Sequence, residues 1–281
     1  MSRIHSPSAA RFETVAMSAS EQAAVAVLEC RQVERRFGGL VALTGVDLRI
    51  ERGEIFGLVG PNGSGKTTLT NAITGFYPPQ RGRILLDGRD ITGMAPHAVA
   101  RLGVARTFQN LALFNGMTVL DNILLGRHVH MRPSVLRTAF YSLLARKEET
   151  AQRVIVEETI DFLQLQGVRD ELVDVIPIGL KKRVELARAL VAEPRFLILD
   201  EPMAGMNQEE KEYMARFVLD ARDERGVTVL LIEHHMDIIT GICDRMLVLS
   251  YGEMIDTGIP REVIKDPRVI RAYIGGANAA V

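Results

Sequence analysis

Three short, unbroken apolar runs stand out from an otherwise mixed chain: Ile55-Phe56-Gly57-Leu58-Val59, Phe196-Leu197-Ile198-Leu199, and Val227-Thr228-Val229-Leu230-Leu231-Ile232. Each is bounded by turn residues or charge and carries no polar alternation, the pattern of a strand covered on both faces in a parallel sheet. After each run the apolar spacing lengthens to that of a helix, so that strands over 55–59, 195–200 and 227–232 precede helices over 66–74, 208–225 and 236–242. Strands alternating with helices predict an α/β fold, a parallel sheet with helices on both faces. Alternating runs at 27–30, 46–50 and 84–87, the last followed by the turn pair Asp87-Gly88, predict an antiparallel β-subdomain. Residues from 111 to 185 have a helical pattern and read as an inserted helical subdomain, with a further helix expected over 182–192.

The turn after the first apolar run reads Gly60-Pro61-Asn62-Gly63-Ser64-Gly65-Lys66-Thr67-Thr68, a match to G-x-x-x-x-G-K-[ST]. Glycines let the backbone turn sharply and bring successive N–H groups against phosphate oxygens, which a Cβ would obstruct. Lys66 supplies a mobile positive charge for the β- and γ-phosphates, and the Thr67 hydroxyl is placed to ligate Mg²⁺. The helix opened by this loop adds the attraction of its N-terminus for anions. Strand, glycine loop and helix in that order make the motif far more specific than the bare pattern.

The second apolar run ends in Asp200-Glu201-Pro202. Consecutive side chains on a strand point to opposite sides, so the two acids serve different roles. Asp200 is a candidate Mg²⁺ ligand, directly or through water, and Glu201 a candidate base for the attacking water in phosphoanhydride hydrolysis. The third run ends at Glu233-His234-His235, which puts His234 at the same sheet edge as Asp200. Gln109, in Arg106-Thr107-Phe108-Gln109-Asn110, sits in a polar interruption and carries a weaker signal; a plain surface glutamine has the same local pattern.

Composition narrows the classes. With 34 basic and 35 acidic side chains among 281 residues, the balance speaks against a strongly basic nucleic-acid surface. No apolar run approaches the roughly 20 residues that span a bilayer. The two cysteines, Cys30 and Cys243, have no metal-ligand spacing and read as small buried hydrophobes in a reducing compartment. His128 and His130, in the basic stretch 127–132, do not share a helix face and read as solvated surface near anionic lipid or a membrane partner. Residues 1–25 read as a disordered extension, 26–275 as the folded domain, and 276–281 as a tail.

Taken together these motifs resemble the ATP-binding subunits of ABC transporters, over nearly all of the chain. The resemblance implies a P-loop NTPase core with ATP and Mg²⁺ as cofactors. It implies that Phe37 stacks on adenine, that Gln109 contacts Mg²⁺ or water and senses the transmembrane partner, and that Asp200 and Glu201 form the Walker B pair. His234 then falls at the γ-phosphate-sensing position and Ala204-Gly205-Met206-Asn207 at the D-loop. Within the family the likeness is to branched-chain amino-acid uptake ATPases, carried by Ala105-Arg106-Thr107-Phe108-Gln109-Asn110-Leu111, by the long segment 126–147 and by the ending Asp266-Pro267-Arg268 to Gly275.

One element departs from the family pattern. Where the LSGGQ-like signature is expected the chain has Ile176-Pro177-Ile178-Gly179-Leu180. Gly179 keeps the close-approach glycine, which in this family faces the nucleotide of the opposing subunit. Pro177 brings neither hydroxyl nor N–H, and Leu180 replaces a glutamine. A heterodimer tolerates such a loss in one of its two sites better than a homodimer does. The implied partners are therefore two transmembrane permeases, a second and different ATPase subunit and, indirectly, an extracytoplasmic binding protein, with no nucleic acid. The implied location is peripheral, on the cytoplasmic face of the inner membrane. Leu111, Leu113 and Phe114, beside Gln109, would grip a cytoplasmic helix of the permease or else belong to the core. Competing readings are an exporter ATPase for lipid or lipopolysaccharide, a soluble ABC ATPase acting on nucleic acid, and a non-hydrolysing regulatory subunit.

Overall fold

The computed structural model describes residues 26–109, 111–129 and 144–277; the extension 1–25, Asn110, the segment 130–143 with His130, and residues 278–281 lie outside the described residues. Strands β3 (Ile55–Val59), β6 (Val104–Arg106), β7 (Phe196–Asp200), β8 (Thr228–Ile232), β9 (Arg245–Ser250) and β10 (Glu253–Gly258) form one sheet in the order β10-β9-β3-β8-β7-β6. All neighbouring pairs are parallel except the β9–β10 hairpin. A second, antiparallel sheet has the order β2-β1-β4-β5, from β1 (Ala26–Phe37), β2 (Leu40–Glu51), β4 (Arg81–Leu86) and β5 (Arg89–Asp90). The three short runs seen in the sequence are the most apolar parts of β1, β2 and β4.

Period-two alternation divides the parallel strands between two cores. Ile55 and Val59, Leu197 and Leu199, Val229 and Leu231, and Met246 and Val248 face a core shared with helices α3 (Val119–Leu124), α4 (Leu144–Phe162), α5 (Ile178–Leu190), α6 (Gln208–Arg225) and α7 (Met236–Ile242). Phe56 and Leu58, Phe196 and Ile198, Leu230 and Ile232, and Leu247 and Leu249 face the other core. That second face is covered by α1 (Lys66–Ile73), α2 (Pro96–Arg101) and the antiparallel sheet together, where helices alone were expected. Burial on both faces explains why the strand sequences are continuously apolar. Both cysteines are buried and free, and burial pushes both thiols up.

Several elements differ from the sequence expectation. Strand β6 is three residues long, too short to leave a periodic trace, and ends in the supposed polar interruption at Arg106. Strands β9 and β10 extend the sheet beyond the three expected strands. Helix α5 starts at Ile178 instead of residue 182 and ends at Leu190, so Gly179 and Leu180 form part of its first turn, with Pro177 as N-cap. Residues 111–118 are not helical, and the rest of the stretch expected to be helical holds α3, α4, the start of α5 and short 3-10 turns at Leu125–Val129 and Gln166–Val168. After β10 come helices α8 (Pro260–Val263) and α9 (Pro267–Ala277), and α9 continues two residues into the expected tail. Arg127, read as solvated surface, is buried: its guanidinium donates to the Val191 carbonyl, to Gln152 and to Glu193, so a charge run in sequence hid a structural tie between α4 and the chain after α5.

Candidate functional site

The phosphate-loop sequence connects β3 to α1. Gly65 lies in the left-handed region at φ 108°, and a Cβ there would sit 2.7 Å from the Ala42 carbonyl oxygen. At Gly60 a Cβ would stand well inside van der Waals contact distance of the Leu249 carbonyl oxygen. Both glycines are therefore required by close backbone approach. The β9–β10 turn closes the loop from the far side through Gly252 N–H to the Ser64 carbonyl at 2.9 Å. Lys66 is buried, and its Nζ donates to the carbonyls of Gly60 at 2.7 Å and Pro61 at 3.0 Å. Burial lowers the lysine pKa, opposed by the nearby carboxylates of Glu201 and Asp200. Ser64 Oγ, beside Gly60 in the loop, is buried with no hydrogen-bond partner.

A cleft of about 510 Å³ runs along this loop. It is lined by Phe37, Asn62, Gly63, Ser64, Gly65, Lys66, Thr67, Thr68, Gln109, Asp200 and Glu201, together with Leu40, Val41, Ala42 and Tyr251. Gly60 and Pro61 do not line it; their carbonyls hold the Lys66 ammonium. Phe37 stands at the mouth, with the Arg35 guanidinium 4.8 Å from its ring centroid and Tyr77 edge-on at 5.5 Å. Tyr251 carried no signal in the sequence; it is an exposed aromatic on a left-handed turn at φ 47° that reaches the cleft because the β9–β10 hairpin packs against the phosphate loop.

The acids at the end of β7 separate as their adjacency requires. Asp200 is bound by Arg106, whose Nη2 donates to Oδ2 at 2.8 Å, and its own N–H donates to Thr107 Oγ1 at 3.2 Å. Glu201 adopts φ 49°, a strained conformation for a non-glycine residue of the kind that clusters at active sites. Its carboxylate accepts from Gln109 Nε2 at 3.2 Å and contacts His234 Nε2 at 2.7 Å. Gln109, Glu201 and His234 thus meet in one hydrogen-bonded cluster, with His234 reaching the cleft through Glu201. Glu233 is buried beneath them; it accepts from the N–H groups of Met203 and His234, and burial raises its carboxyl pKa.

Gly179 stands apart from this cleft. Its open face is covered by the Glu210 carboxylate of α6, itself held by a capping box with Asn207. Helix α5 meets the site through two other residues the sequence did not single out. Lys182 Nζ donates to the Glu201 carbonyl at 3.4 Å, and Glu185 accepts from the Phe108 N–H at 3.2 Å, with burial raising the Glu185 pKa.

Thr67, Asp200 and Gln109, the last with its Oε1 left over from the bond to Glu201, are hard oxygen donors that fit Mg²⁺. Among the described residues no group of three or more His, Cys, Asp or Glu could hold a metal, so a cation here would share its coordination with phosphate oxygens.

On the other side of β6 lies a second, apolar groove of about 640 Å³, walled by Phe76, Val104, Arg106, Phe108, Ala112, Phe114 and the α5 residues Glu185 and Arg188. Of the apolar residues expected to grip a partner helix, Phe114 is exposed in this groove, whereas Leu113 packs against the helical core and Leu111 does not line the groove. No helix among the described residues is long and apolar enough to cross a membrane.

Residues 43–204 match the ABC transporter family model. The high-affinity branched-chain amino acid transport ATP-binding protein BraF of Pseudomonas aeruginosa is 38% identical over 251 residues, covering 89% of this chain and 98% of that protein. The corresponding LivG of Escherichia coli is 38% identical over 247 residues, 86% of this chain and 95% of LivG. A probable LivG of Methanocaldococcus jannaschii is 34% identical over 254 residues, covering 89% and 97%. Among solved structures, a nucleotide-free ATP-binding cassette from an ABC transporter superposes with a TM-score of 0.77 at 33% identity, covering 89% of this chain and 99% of that one. An ABC-transporter cassette in its ADP conformation gives 0.78 at the same 33% identity.

Proposed function

Since this chain belongs to the ABC transporter family, as one of its ATP-binding, ATP-hydrolysing subunits, we propose that it powers uptake of branched-chain amino acids or related small organic acids. The observation that carries the site assignment is the convergence, in one cleft, of the phosphate loop with Asp200 and with the Gln109–Glu201–His234 cluster. The substrate class rests on what the relatives transport; the residues that would select it belong to other subunits.

In this proposal the loop residues 60–68 hold the triphosphate, and Lys66 exchanges the Gly60 and Pro61 carbonyls for phosphate oxygens. Phe37 stacks on the base with the ring face that Arg35 leaves open. Thr67, Asp200 and Gln109 would hold Mg²⁺, which supplies charge neutralisation of the phosphates. Glu201 orients and deprotonates the attacking water, with Gln109 and His234 fixing its carboxylate. A general base of this kind must be held within hydrogen-bond reach of its water, and two bonds to one carboxylate supply that constraint.

The domain would span 26–275 with its helical part inserted after the Gln109 loop. Docking of a permease helix fits the apolar groove, whose wall residues Phe108, Ala112 and Phe114 lie close to Gln109 in the sequence. In this reading the subunit sits peripherally, on the cytoplasmic face of the inner membrane. Pro177 and Leu180 leave the first turn of α5 short of the donors an opposing γ-phosphate needs, and the Glu210 carboxylate against Gly179 adds like charge there. Both features support pairing with a second, different ATPase subunit.

Recovery of the tagged chain from detergent-solubilised membranes tests the assignment. Two permeases and a distinct ATPase are expected to co-purify, and recovery with ribosomal or DNA-bound partners would overturn it. Placing a charge in the groove with Phe114→Asp is expected to weaken permease recovery about 30-fold, the loss of one aromatic anchor, with an unchanged thermal melt. Undiminished recovery would remove the groove from the interface.

A further inference from the structure

Arg106 belongs to neither the phosphate loop nor the acid pair, yet it touches both walls between which the site is built. It ends the edge strand β6, paired with Ile198 of β7 two residues before Asp200. Its side chain is only 6% exposed, the same as that of Asp200. One arm of its fork, Nη2, binds Asp200 Oδ2 at 2.8 Å; the other, Nη1, binds Asn71 Oδ1 on α1 at 2.6 Å. Its Nε is buried without a hydrogen-bond partner, so the guanidinium is held by these two contacts and by the Phe108 ring, 5.3 Å from its carbon. Phe108 is 40% exposed, stands edge-on to Phe76 at 6.3 Å, and together with Arg106 forms part of the apolar groove.

We propose that Arg106 is a positioning residue that fixes the orientation of the Asp200 carboxylate, offsets its charge and connects it to the wall of the apolar groove. This rests on the nucleotide-site assignment above. A planar fork can hold a carboxylate on one strand and an amide on a neighbouring helix in fixed relation, which a lysine cannot. Its positive charge also lowers the pull of Asp200 on a divalent cation. A buried carboxylate stripped of its partner is left uncompensated and recruits another cation more strongly. Because the guanidinium rests on Phe108, displacement of that ring by an occupant of the groove would shift Arg106 and so reset Asp200. This connection is separate from Gln109, which binds Glu201.

The test measures binding of a fluorescent ATP analogue by the full chain, in EDTA and in saturating Mg²⁺, for the unaltered protein, Arg106→Met and Phe108→Ala. The factor by which Mg²⁺ tightens binding is expected to grow about ten-fold in Arg106→Met, within the usual range of a coupling between two sites. Binding in EDTA should stay close to that of the unaltered chain. In Phe108→Ala, whose exposed ring can be truncated without emptying the core, the same factor is expected to move in the same direction by about two- to three-fold, the weaker end of a cation–π contact. A role in stability alone would lower the melting temperature with and without Mg²⁺–nucleotide and leave the factor unmoved. That result in folded Arg106→Met would overturn the positioning role, and an unchanged factor in Phe108→Ala would overturn the connection to the groove. Failure of the unaltered chain to bind the analogue at all would overturn the nucleotide-site assignment itself and this proposal with it.

Discussion

Replacing Glu201 by glutamine is expected to lower ATP turnover by about 10²–10⁴-fold, the usual contribution of a positioned general base, with nucleotide affinity preserved. The substitution is nearly isosteric, and the site indicates how the amide would be tolerated: its oxygen can still accept from Gln109 or from His234. What it cannot do is take a proton from water. The left-handed backbone at Glu201 is held by its N–H to the Ile232 carbonyl at 3.0 Å and by Lys182 on its own carbonyl, neither of which depends on the side chain. In the assembled transporter the variant should bind ATP, hold the paired subunits closed and stop transport. Single-turnover and steady-state ATPase assays check the first part, and size-exclusion chromatography in ATP checks the second. Turnover equal to the unaltered protein would exclude Glu201 as the base.

The second large effect is expected at Lys66. Lys66→Ala should weaken ATP binding by about 10- to 150-fold, the value of hydrogen bonds to a charged partner, and abolish turnover. Two losses combine. The ammonium is removed from the phosphates, and in the free chain the carbonyls of Gly60 and Pro61 lose the Nζ contact that holds the loop together before nucleotide arrives. Equilibrium binding of a fluorescent ATP analogue measures the first loss. Unchanged affinity would contradict the phosphate contact assigned to this residue. Arginine should not substitute, because its fork is larger than the space the loop leaves around a buried ammonium.

How far the site could be read beforehand depended on how local its chemistry is. The phosphate loop is nine consecutive residues whose glycines answer to nearby backbone, and the acid pair ends an apolar strand, so both were evident in order and spacing. His234 followed from the same logic one strand later. By contrast, the first turn of α5 was misplaced by four residues because Pro177-Ile178-Gly179 looks like a loop, while proline as N-cap is compatible with a helix start. Arg127 looked like surface because its partners, Gln152, Val191 and Glu193, lie 25 to 66 residues away.

The sequence by itself determined the nucleotide class of ligand, the buried parallel strands and the glycine-rich turn and acid pair that follow two of them, because each follows from neighbours within a few positions. Only the tertiary structure decided that Gln109 meets Glu201 across 92 residues and His234 meets it across 33, that Arg106 rather than solvent accompanies Asp200, that Tyr251 joins the cleft, and that Phe114 but not Leu113 faces the groove. Those pairings are set by strand order and register, β6 beside β7 and β7 beside β8, and by one left-handed residue at the end of a strand. Strand order is a property of how the whole chain packs, and no local period in the sequence encodes it.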